Sequence, residues 1–114
     1  MVIRKAGTSA YTVVKNPGNA DIGAIRVVGV CQHAIGDNGY GFVLKKGIGT
    51  LMKDNAALGS ADTSLICSDA GTGYAGMVCA DSGGGTRDVF AMNMAAVSGS
   101  SGGETFTARS NCIG

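Results

Sequence analysis

A chain of 114 residues holds one domain around one modest hydrophobic core. Nine Lys and Arg against eight Asp and Glu leave a formal charge of +1, without the basic stripe and interleaved aromatics of a general nucleic-acid binder. Apolar runs are broken within a few residues by Gly, Thr or charge, so no membrane span is expected.

Twenty glycines, one proline, no tryptophan and only three Tyr and three Phe give a light interior and a backbone full of corners. Glycine at this frequency, without a collagen period, supplies turns and close backbone contacts at a cost in chain entropy. A body built that way gains stability from neighbours, and a homo-oligomer is expected. Met1–Lys5 lacks the apolar run of a signal peptide, so synthesis and assembly in a cytoplasm are expected.

Residues 1–10 read as a short polar-basic arm and residues 11–114 as a single β domain. Tyr11–Val14 is β-rich and ends at Lys15-Asn16-Pro17-Gly18, a strong turn signal. Strands are expected over Ala24–Val30, Tyr40–Lys45 and Ile48–Met52, divided by the Gly36–Gly39 corner and by Gly47. Lys53–Thr63 suits a loop or a single helical turn. Short strands follow at Ser64–Cys67 and Met77–Ala80. Asp88–Met94 alternates, with Val89, Ala91 and Asn93 on one side and an apolar Phe90, Met92 and Met94 on the other. Val97–Gly103 is a Ser/Gly tract that suits a mobile loop, with packed turns over 98–103 the alternative, and Thr105–Arg109 a final edge strand. No stretch of a dozen residues has helical periodicity with caps. The expected fold is all-β: a small antiparallel β-barrel or a two-sheet sandwich with a short N-terminal arm.

Motifs that resemble chemistry lack their context. Gly71, Gly73 and Gly76 have dinucleotide-binding spacing, but Met77–Ala80 and then three glycines follow where the phosphate-holding helix should begin. Ser101 sits between Gly99 and Gly103 as in a nucleophile elbow, yet no histidine follows it. Cys31 and His33 would share one side of a strand, without an acidic residue suggested to orient the imidazole. Seven aspartates lie beside turn-forming residues, and Asp37-Asn38-Gly39 lacks the later ligands of a calcium loop. Cys31, Cys67, Cys79 and Cys112 have no metal-ligand spacing and read first as buried thiols, with any of three disulfide pairings left open. No catalytic residue, cofactor or metal is therefore expected, and a β-barrel ligand carrier or an enzyme using Cys31 and His33 is the distant alternative.

Arg26–Ile35, Gly39–Thr50, Leu65–Cys67 and Tyr74–Cys79 together resemble the tailed-bacteriophage capsid decoration, or cement, proteins. The likeness covers about residues 24–80, and Cys31 and Cys79 depart from it by standing where alanine is usual. It implies a virion protein that binds the major capsid protein on the outer shell, often as a trimer, and stabilises it. A tail or head–tail connector subunit is the nearest alternative. No catalytic residue comes with that family. Within this reading the arm residues Val2, Ile3, Arg4 and Lys5 are the expected partner-binding segment, adding a strand to a neighbour's sheet.

Overall fold

Runs of β-branched residues between glycine corners form two antiparallel sheets in the computed structural model, which describes residues 2–5, 13–15, 27–68, 70–81 and 89–112. The first sheet contains β1 (Val2–Lys5), β2 (Val13–Lys15), β3 (Val27–Cys31) and β4 (Val43–Leu44), in the order β2-β1-β3-β4. The second contains β5 (Lys46–Met52), β6 (Ser64–Cys67), β7 (Val78–Ala80), β8 (Ala91–Asn93) and β9 (Thr105–Asn111), in the order β5-β9-β8-β6-β7. Among the described residues a 3-10 turn at Thr72–Tyr74 interrupts the β structure.

The chain crosses between sheets at Lys45, the one residue separating β4 from β5. Both sheets feed one core: Val27 and Val30 from the first meet a cluster that includes Leu51, Leu65, Ile66, Val78, Phe90 and Ala108 from the second. Burial of each large apolar side chain there contributes about 1.5–3 kcal/mol. Just beyond β5, Lys53 bridges to Val78 of β7, so the two outer strands of the second sheet meet at one point. The result is a two-sheet sandwich and not a closed barrel.

Close approach of the sheets depends on Gly49. A Cβ there would lie 2.5 Å from Leu44 Cδ2 and 2.8 Å from Gln32 Oε1. Because that space is left to them, the Gln32 carboxamide reaches the free edge of β5. It donates to the Thr50 carbonyl (3.1 Å) and accepts from the Thr50 amide (2.9 Å), occupying the place of a strand's peptide group.

Several elements differ from the sequence reading. Val2–Lys5 are not a free arm: β1 lies inside its sheet, paired with β2 on one side and β3 on the other. Its backbone groups are engaged within the chain, so they are not available to extend a neighbour's sheet. Tyr40 and Phe42 lie outside the strand expected over Tyr40–Lys45, which is reduced to Val43–Leu44. β9 is not an edge strand but runs between β5 and β8. Lys53–Thr63 is a loop, held by the Leu58–Val97 bridge. Tyr11, Thr12, Ala24–Arg26 and the triple glycine at 83–85 lie outside the described residues.

Val97–Gly103 is strapped down rather than loose. The anchor is Lys53, whose side chain is fully buried. Its ammonium donates to the carbonyls of Asp54 (3.0 Å), Ala56 (3.3 Å) and Ser101 (3.2 Å), and lies 3.9 Å from the Glu104 carboxylate. Its backbone adds bonds from Lys53 N to Glu104 O and from Gly103 N to Lys53 O. A buried cation is tolerable when its donors are satisfied, and here carbonyls from two loops satisfy them.

Candidate functional site

Two strands of the second sheet, β8 and β9, alternate between a buried and an exposed face. Along β9, Ala108 and Ser110 are buried while Thr105, Thr107, Arg109 and Asn111 are exposed. On β8, Ala91 and Asn93 point inward and Met92 outward, so the more apolar side of the alternation is not the buried one. The inward position of Asn93 is held by side-chain bonds. Its buried carboxamide accepts from Thr63 N (2.8 Å) and donates to Ala95 O (2.9 Å), bonds that tie two neighbouring loops to the strand. Of the more apolar side, only Phe90, just before the strand, is buried.

The strand register then assembles a cross-strand row on the outer face. Ile48 stands opposite Arg109, and Arg109 opposite Met92. Adjacent strands lie about 4.8 Å apart, so the row spans about 10 Å. Ile48 is 60% exposed and Met92 42%. The neighbouring rows carry Lys46 opposite Asn111 and Thr50 opposite Thr107, all exposed. Exposed Met94 borders a cleft of about 380 Å³ whose lining includes Val97, Phe106 and the carboxylate of Glu104. The face sets two apolar side chains, Ile48 and Met92, on either side of a central Arg109, with Lys46 as its second cation.

A second exposed apolar feature stands on the loop joining β3 to β4. Its Gly36–Gly39 turn is closed by Gly39 N donating to Gly36 O at 2.9 Å, with Asn38 at a φ of 57°. Past the turn, Gly41 is packed under the Ile35 side chain and the His33 ring, whose Cε1 would lie 2.9 Å from a Cβ at that position. With Gly41 turned toward these two side chains of its own loop, Tyr40 and Phe42 project into solvent and are 100% and 88% exposed. Asp37 is exposed on the same loop. Two aromatic rings held in water on a folded loop are an exposed apolar feature of the kind that marks protein contact sites.

Other residues singled out in the sequence occupy structural positions. Cys31 is half-buried on β3, while His33 is exposed beyond it with Nδ1 3.1 Å from the Ala34 carbonyl. All four cysteines remain thiols, and Cys67, Cys79 and Cys112 are in the core. The Gly71–Gly76 segment forms the 3-10 turn and leads into β7. Ser101 is exposed in the strap and contributes its carbonyl to Lys53. Asp54 is buried, accepting from Ala56 N (2.9 Å) and Ser68 Oγ (2.6 Å). No group of three or more potential metal ligands occurs among the described residues. Val2, Ile3, Arg4 and Lys5 stand on β1, in the other sheet from the Ile48–Arg109–Met92 row.

No protein-family model matches the chain, and neither a curated protein nor a solved structure is similar to it.

Proposed function

We propose that the chain is a structural assembly protein of the capsid-decoration kind, which sits on the outer surface of a viral shell and stabilises it by bridging proteins. The observation that carries this reading is the solvent-held pair Tyr40 and Phe42, projected on either side of a glycine that lies against Ile35 and His33 of the same loop. Aromatic anchors of this kind supply much of the energy at protein interfaces. The glycine-rich two-sheet body gives a rigid mount for them, and repeated weak contacts across a shell add up by multivalency. The likeness of Arg26–Ile35 and Gly39–Thr50 to cement proteins supports the same role, and the Gly39–Thr50 stretch includes the aromatic pair.

Co-expression with the major capsid protein encoded in the same genome, followed by gradient sedimentation, tests the reading. The chain is expected to travel with assembled particles in a fixed ratio to the shell subunit. Recovery entirely among unassembled proteins would contradict it.

A further inference from the structure

We infer that two copies of this chain join head to tail, the Tyr40/Phe42 loop of one docking on the Ile48–Arg109–Met92 face of the next. The two features hold five of the exposed large apolar side chains of the described surface, Tyr40 and Phe42 on the β3–β4 loop and Ile48, Met92 and Met94 on or beside the second sheet. Their charges are opposite: the loop carries Asp37, and the face carries Lys46 and Arg109. Pairing the face with itself would oppose cation to cation, and pairing the loop with itself would oppose carboxylate to carboxylate. Like-charge juxtaposition disfavours both symmetric arrangements. Loop on face instead sets two aromatic rings against Ile48, Met92 and Met94 and brings Asp37 to the cations.

The aromatic pair is the core of the contact and the residues around it must complete the area. Tyr and Phe bury about 150–250 Å² each, so the pair supplies roughly half of the about 800 Å² per partner of an ordinary interface. A heterologous contact uses a different patch on each partner, so every copy keeps one free loop and one free face until a ring closes. This inference rests on the reading of the chain as an assembly component, but its test uses the purified chain without any shell protein. The two ideas therefore fail separately.

Sedimentation velocity over a concentration series reads the association. The wild-type mass is expected to rise above the 11.3 kDa of one chain as concentration increases. The loop variant Tyr40→Ser/Phe42→Ser and the face variant Ile48→Asp/Arg109→Glu should each remain monomeric. Each keeps one intact surface, so an equimolar mixture should form a species of two chains and nothing larger. A wild-type chain that stays monomeric up to the millimolar range, a variant that associates like wild type, or a mixture that forms no pair would overturn the inference. The charge exchange keeps the test independent of how well the double variants fold: Asp37→Arg alone should weaken association at least tenfold, and adding Arg109→Asp should recover most of the loss. A pair that stays as weak as the single variant would contradict the assigned contact.

Discussion

Lys53 shows how one side chain can order a segment whose composition argues for mobility. Glycine and serine in Val97–Gly103 lower local rigidity, yet the ammonium of Lys53 and its own amide and carbonyl fix that tract against the start of β9. Replacing it with a neutral chain of similar length leaves three carbonyls without their donor. Lys53→Met is expected to cost about 3 kcal/mol, read as a fall in the urea midpoint, with new proteolytic cleavage at 98–103. Ser110 presents the opposite case. Its buried hydroxyl has no hydrogen-bond partner among the described residues. Ser110→Ala removes that desolvated group, so it should be neutral or stabilising by up to about 1 kcal/mol. A clear loss of stability in thermal unfolding would show that the hydroxyl is satisfied in solution.

At the scale of elements, the sequence made β6 legible at its full length, because Ser64–Cys67 is a short apolar run between turn signals. The interior placement of β9 was hidden. Its inward positions below Phe106 are Ala108 and Ser110, too small to look like a core face, while its outward threonines look like a solvent-side edge. β8 shows a different limit. Alternation identifies two faces but not which is buried, and here the inward position of Asn93 is held by bonds to Thr63, on a loop distant in sequence, and to nearby Ala95. The Tyr40–Lys45 pattern looks like one strand, yet Gly41 lies against Ile35 and His33 of its own loop and only Val43–Leu44 are paired. Gly49 is the element-scale position most sensitive to substitution. A methyl there displaces Leu44 and the Gln32 carboxamide, so Gly49→Ala should cost about 1–2 kcal/mol and expose the β5 edge. Faster amide exchange at Thr50 would report the lost cap; unchanged exchange would place the glycine's role elsewhere.

Across the whole molecule, the class of fold was readable from turn spacing and strand runs, whereas the candidate contact surface was not. Exposure of Tyr40, Phe42, Ile48 and Met92 follows from register and packing between segments far apart in the chain. The arm at Val2–Lys5 drew attention because it was basic and aperiodic, but tertiary pairing places it inside a sheet. The surface that replaces it combines apolar groups with Lys46, Arg109 and, on the loop, Asp37. Because the charges are exposed, association should weaken as salt rises from low to physiological levels, while the apolar contribution persists. Association that strengthened steadily over that range would assign the contact to apolar burial alone.

The most direct test of the account is cryo-electron microscopy of the particle assembled with this chain. The expected result is density for the two-sheet body on the outer surface of the shell, with Tyr40 and Phe42 buried in a contact between protein subunits. Density elsewhere in the particle, or a body on the shell with both aromatics facing solvent, would contradict it.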